Sequence, residues 1–303
     1  ARLEKTGKGA EDADSTEADA AQTATADVTG ETGVAQTSTA DDTGETGATQ
    51  TSTADSATAQ AAAVKAGDTV IDESGAAYTV TASNAGVSEV AYASADTKQT
   101  ESKVVIPASV VISGVEYKVT AIADNAFKGN KTITAVTTGA YVETIGKSAF
   151  EGCTALKKVT LTNHVTVIED SAFKSCTSLK TVNIRKGVTE IGSSAFGGCT
   201  KLTNVTIGAN VTTIGDNAFA KCSSLKKITI PAKVKRVGKA VFGNCKKLKT
   251  IVIKSKKLTT KSVSRNAFSG ISNKTVIKVP KEKKKEYTKL LRQKGLSRKV
   301  KIQ

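Results

Sequence analysis

One residue spacing constrains this chain more than any other property. Phenylalanine stands at positions 127, 150, 173, 196, 219 and 242, each 23 residues after the last. Cysteine keeps the same step at 153, 176, 199, 222 and 245, and leucine at 156, 179, 202, 225 and 248. A further column, Ile122, Ile145, Ile168, Ile191 and Ile214, ends in Val237. Units of this length are too small to bury an apolar face alone, and stacking joins their faces into one continuous core. The spacing therefore predicts a repeat solenoid of about seven 23-residue coils over residues 118–279.

Within each coil, Val159/Leu161, Val182/Ile184, Val205/Ile207, Ile228/Ile230 and Ile251/Ile253 alternate with other residues. That is the period-two mark of a strand with one buried face. Repeated once per coil, these strands build a parallel β-sheet on one face of a β-rich, right-handed coil. A second short strand, Val188 to Ile191, follows a turn, and Ser193 to Phe196 reads as a single helical turn. Asp124, Asp170, Ser193 and Asp216 occupy its N-cap position, where a side-chain oxygen accepts from an orphan N–H. Lys147 and Lys239 depart from that pattern.

The flanking segments differ in composition. Residues 1–66 are built mainly from Thr, Ala, Asp, Gly, Glu, Ser and Gln, with a 14-residue repeat that restarts at Gln22, Gln36 and Gln50. So little apolar surface cannot offset the entropy of ordering, and this segment is expected to be a disordered acidic stalk. Residues 67–117 carry short strand-like runs around Tyr78, Val87 to Tyr92 and Val104 to Ile106, and are expected to form a β-hairpin N-terminal cap. Beyond the regular coils, Phe268 follows Phe242 by 26 residues, and Ile271, Ile277 and Val279 fill the cysteine and strand columns. Residues 280–303 are read as a basic C-terminal cap. Its helix runs from Lys281 to Lys294 with an apolar stripe of Tyr287, Leu290 and Leu291, and Gly295 is its stop. The chain begins at Ala1 without Met and is expected to be a processed or trimmed product, so the lack of a hydrophobic leader says little about secretion. No stretch has the roughly 18 apolar residues of a membrane helix.

Val211 to Ile230 follows the pattern Val-Thr-x-Ile-Gly-x-x-Ala-Phe-x-x-Cys-x-x-Leu-x-x-Val/Ile-x-Ile throughout. The pattern resembles the BspA-like class of bacterial leucine-rich repeats, and the run from Val279 to Tyr287 is similar to the closing segment of that family. The likeness covers roughly residues 104–303, with local departures at Asn130 (for Cys), Glu169 (for Gly) and the polar Thr138. It implies a leucine-rich-repeat fold and a secreted or cell-surface binding protein, in some members an adhesin. The chain is expected to act as a monomer.

The repeat absorbs most residues that could carry chemistry. Five cysteines, one per coil in one column, lack the close pairing of a zinc site and are read as buried, reduced, small apolar side chains. His164 shares its repeat position with Gly187, Asn210 and Lys233, so nothing about that slot demands imidazole. With one histidine and no cofactor motif, neither an enzyme nor a bound metal or cofactor is expected.

Two surfaces remain as candidates. The first is the outward side of the strand ladder: Lys158, Thr160, Thr181, Asn183, Arg185, Asn204, Thr206, Lys227, Thr229 and Lys254. Leucine-rich repeats commonly bind through this sheet, and here it is polar and without aromatics, which suits extended polar recognition. The second is the basic end. The net charge of +16 conceals 4 basic and 12 acidic residues in 1–66 against 26 basic and 2 acidic in 223–303. Lys246, Lys247, Lys249, Lys256, Lys257, Lys281, Lys283, Lys284 and Lys285 are candidates for an anionic partner such as an acidic glycan or wall polymer. A cap kept soluble by its charge is the other account of the same residues. Nucleic acid is disfavoured, because no aromatics interleave with the lysines.

If the phenylalanine column is core, Phe196→Ala should cost about 3–5 kcal/mol in urea unfolding. A loss below about 1 kcal/mol would place the column on the surface.

Overall fold

A computed structural model describes residues 64–84, 87–94 and 102–303; the stalk segment 1–63, with its 14-residue repeat, lies outside the described residues. From Lys103 onward the chain winds as stacked coils joined by two ladders of parallel strands. The first ladder contains Lys103–Val105, Ala135–Thr137, Lys158–Thr160, Thr181–Asn183 and Asn204–Thr206. Lys227–Ile230, Thr250–Ile253, Val276–Lys278 and Lys301–Ile302 form a further parallel sheet at the C-terminal end. The second ladder consists of two-residue strands in which Ile145, Ile168, Ile191, Ile214 and Val237 lie in register from coil to coil. The inward pairs, such as Val182 opposite Val205 and Ile228 opposite Ile251, recur at the step that the sequence columns set.

The columns meet in one apolar core. The Phe rings from Phe127 to Phe219 stack nearly parallel, with centroids 5.0, 5.1, 5.2 and 5.4 Å apart. The cysteines and the leucines from Leu156 to Leu248 are almost wholly buried beside them. Each thiol donates to the carbonyl of a Phe in the preceding coil: Cys176 Sγ to Phe150 O at 3.1 Å, and Cys199 Sγ to Phe173 O at 3.2 Å. Where Asn130 replaces cysteine, its side-chain oxygen accepts from the backbone N–H groups of Thr132 and Ile133 and holds the same turn. The polar Thr138 is buried, and its hydroxyl accepts from the Thr162 N–H at 3.0 Å. Among the described residues no buried side-chain nitrogen or oxygen lacks a partner.

The third side of each coil corrects the helical-turn expectation. Asn125, Ser148, Ser171, Ser194 and Asn217 all have positive φ, between 54° and 61°. A left-handed residue at that point prevents a helical turn and aims successive peptide groups along the stack. The N–H groups of Phe150, Phe173 and Phe196 accordingly donate to Ala172, Ala195 and Ala218 of the following coil. The aspartates read as caps act between coils instead. Asp124, Asp170 and Asp216 accept from the N–H of Lys147, Ser193 and Lys239, at 2.6, 2.5 and 2.7 Å. This explains the two lysines that broke the cap pattern: their backbone N–H groups are the donors, and one aspartate serves every second coil.

Both ends close the core. At the N-terminal end, Ala77–Asn84 and Val87–Ser94 pair antiparallel, and Val87–Ser94 then runs parallel to Val115–Ile122. The hairpin Ser109–Ile112/Val115–Ile122 is inserted into the first coil, so Val104 reaches its partner Val136 over a step longer than 23. Tyr92 stacks on Phe127 at 5.4 Å, and Tyr78 meets Tyr92 edge-on, so the cap extends the ring column. At the C-terminal end, the helix Lys284–Gln293 buries Tyr287, Leu290 and Leu291. Tyr287 OH donates to Ser255 O and accepts from the Leu258 N–H. The chain then adds the strand Lys301–Ile302 beside Val276–Lys278, a two-residue element that periodicity did not reveal.

Asp170→Ala should cost about 1 kcal/mol by urea unfolding, since it strands a backbone N–H of the next coil. Asp170→Asn keeps an acceptor oxygen and should lose less than half as much.

Candidate functional site

The core residues leave little for chemistry. All five cysteines are free and buried. Burial pushes the Cys153 and Cys245 thiols up to about 12 and raises Cys176, Cys199 and Cys222 as well. A thiol so placed is a poor nucleophile, because the thiolate is the reactive form. His164 is exposed on a turn.

The sheet-face residues come together as expected of a registered ladder. Lys158, Thr181 and Asn204 form one row across adjacent strands, and Asn183 and Thr206 lie in the next. These residues, with Thr160, Lys227, Arg185 and Lys254, are exposed, while Thr229 is half-buried. The inward neighbours Val159 and Val182 are buried, so the side-chain alternation of the strands decides which residues face outward. A shallow depression of about 330 Å³ lies between Lys158, Thr160, Thr181, Asn183, Arg185, Asn204 and Thr206. Arg185 at its side is held by its own coil stack: Nε donates to Leu161 O at 3.2 Å. The rigid backbone ladder thus presents hydroxyls, amides and two cations at fixed spacing, a surface for hydrogen-bonding a partner.

The basic end is less uniform than its composition suggests. Lys256 pairs with Glu282, and Lys283 with Glu286 at 2.7 Å, so both acidic residues of segment 223–303 are already engaged. Lys257, Lys281, Lys284 and Lys285 are exposed. Lys246, Lys247 and Lys249 belong to a different feature, a groove of about 380 Å³ completed by Lys226, Leu248, Ser272 and Lys274. Sequence reasoning missed Lys226 and Lys274. The 23-residue step could have found Lys226, which stands one coil before Lys249. Lys274 sits beyond the lengthened coil, where the columns no longer align by counting.

On the N-terminal side, Glu151 is flanked by Lys128 at 3.5 Å and Lys174 at 2.8 Å from neighbouring coils. The hydrogen bond from Lys174 is the main reason its carboxyl lies below the usual range. This charge row is a structural tie between coils. Among the described residues no cluster of three His, Cys, Asp or Glu is placed to hold a metal ion, and no helix is long and apolar enough to cross a membrane.

A stack of short coils with parallel strands and buried Phe, Cys and Leu columns defines a leucine-rich-repeat protein. The chain belongs to the BspA type leucine rich repeat family, of which six copies match over residues 109–226 and 167–297. A leucine-rich-repeat protein of T. pallidum is 26% identical over 70% of this chain and 92% of its own, with a TM-score of 0.57. A leucine rich cell surface protein of Faecalibacterium prausnitzii is 25% identical over 70% of each chain, with a TM-score of 0.48. A search of the curated proteins finds no match.

The thiols should react with a disulfide reagent at pH 8 only after unfolding, when all five titrate without reductant. Rapid reaction of native protein would overturn their placement. Unfolded thiols ionise near 9.0, whereas burial holds Cys153 and Cys245 in the fold up at about 12, so their contribution to stability is complete below 9 and is lost as pH rises towards 12. The melting temperature should therefore fall as pH rises from about 9 towards 12.

Proposed function

We propose that this chain is a non-enzymatic binding protein of the cell surface that engages macromolecules of host or neighbouring cells through its sheet face. The observation that carries this reading is the contrast between the two sides of one strand ladder. Inward positions repeat Val, Leu or Ile from coil to coil, whereas exposed outward positions change among Lys, Thr, Asn and Arg. Residues released from the structural repeat are the ones available for recognition. Family membership supports the surface location and a binding or adhesion role, and leucine-rich-repeat proteins of this kind are generally non-enzymatic. The exposed rows lack aromatic anchors, so the reading favours a polar protein partner bound over several coils.

A second reading has one specific observation behind it. The basic end keeps its charge, since its two carboxylates are already paired and the remaining cations have no acidic partner among the described residues. In that reading the chain is an envelope-associated scaffold docked on an anionic wall polymer.

The first reading is tested with the whole chain on an immobilised array of extracellular-matrix proteins. Thr181→Arg/Asn204→Arg places two bulky cations at adjacent register positions and should weaken capture at least about tenfold. The melting temperature should stay unchanged, because both sites are exposed. Unaltered capture by the double variant would remove the sheet face from the reading.

A further inference from the structure

We propose that the groove lined by Lys226, Lys246, Lys247, Lys249 and Lys274 binds a phosphodiester-linked polyol chain. The proposal rests on the second reading above and gives it a place and a ligand chemistry.

The first support is a departure from the repeat at the groove. The residue after each column cysteine is Thr154, Thr177, Thr200 and Ser223 in successive coils, and then Lys246. The small hydroxyl has a structural task there: Ser223 Oγ donates to Thr200 O at 3.2 Å, and Thr200 Oγ1 to Thr177 O at 3.5 Å. Lys246 gives up that coil-to-coil bond and places a charge in its stead. Lys247 follows at a position held by Ala155, Ser178, Lys201 and Ser224 in the earlier coils. Packing at these two positions does not ask for a pair of lysines.

The second support is the way the groove is built. The backbone beneath the lysines is pinned by coil-to-coil bonds, with Lys247 N–H donating to Ser223 O at 3.2 Å and Lys249 N–H to Lys226 O at 2.8 Å. Lys226 and Lys249 stand one above the other in adjacent coils, since their neighbours Lys227 and Thr250 are register partners. Five lysines thus line a groove of about 380 Å³, and none of them is paired with a carboxylate among the described residues. Lysines gathered on one groove focus a positive potential there, which a polyanion neutralises.

The chemistry of the lining selects among anions. It contains no arginine, so nothing there grips a carboxylate or a phosphate two bonds at a time. Lysine is a compact point charge suited to phosphate oxygens, and Ser272 adds a hydroxyl donor. No aromatic lines the groove, so neither bases nor sugar rings find a stacking platform. A flexible chain of phosphates separated by small polyols meets these conditions.

The test uses the full chain and deacylated poly(glycerol phosphate), with heparin and a single-stranded DNA oligonucleotide as comparison polyanions at equal charge. Lys246→Thr/Lys247→Ser restores residue types that earlier coils hold at these positions and so keeps the fold, which the melting temperature checks. Affinity should drop about tenfold or more, and the slope of log affinity against log salt should shrink by roughly 1.4 for two lost contacts. Lys284→Ser/Lys285→Ser removes the same charge from the helix outside the groove and should have little effect. Equal losses in the two variants would overturn the groove while leaving the basic end as a diffuse docking field. Tighter binding of heparin than of poly(glycerol phosphate) would overturn the phosphodiester assignment, tighter binding of DNA would overturn the polyol assignment, and absence of binding to all three would overturn both the groove and the second reading.

Discussion

The structure depends on the hydrogen-bonded register between coils. Each coil satisfies much of its backbone through the coils before and after it, on both strand ladders and on the turn side, where Phe173 N–H reaches Ala195 O and Phe196 N–H reaches Ala218 O. A chain bonded this way must place equivalent residues one above another. Any side chain that suits one coil then suits the next, which is why phenylalanine, cysteine and leucine recur as columns. At Gly192 the preceding coil lies 2.5 Å from where a Cβ would stand, so close approach also decides where no side chain fits.

Such a stack has an intrinsic weakness at its ends, where the core is open and backbone groups lack partners. The two ends meet it differently. At the N-terminal side Tyr92 and Tyr78 carry on the aromatic column above an antiparallel hairpin, so the cap imitates the core that it covers. At the C-terminal side the register loosens first: Phe219, Phe242 and Phe268 stand 6.1 Å apart, and the last pair is tilted by 35°. The helix then inserts Tyr287, whose hydroxyl satisfies Ser255 O and the Leu258 N–H within the lengthened coil.

Function falls to positions that the stack does not specify. A cysteine in the column must donate to a Phe carbonyl, and an aspartate before the turn must accept from the next coil; neither is available to a ligand. The outward Thr, Asn and Lys of the sheet have no such duty, and Arg185 alone among these outward residues bonds to the coil before it. The Lys246 side chain also has no such duty and stands where earlier coils use Thr or Ser. Membership of a leucine-rich-repeat family suggests a binding or adhesion role for the chain.

Sequence alone determined the repeat, its core columns and the side of each strand that faces water. These follow from local alternation and a fixed step, both visible by counting. The sheet-face rows were therefore legible residue by residue. Tertiary structure decided what counting cannot reach. A positive φ at Ser194 turns an apparent helical cap into a bond between coils, because backbone direction, and not residue type, selects the partner. The lengthened coil before Phe268 carries Lys274 out of register in sequence yet into the same groove as Lys226 and Lys249 in space. Electrostatics depends on distance through space, so the pairing of Lys256 with Glu282 and the gathering of unpaired lysines beside Lys246 emerge only once the coils are stacked.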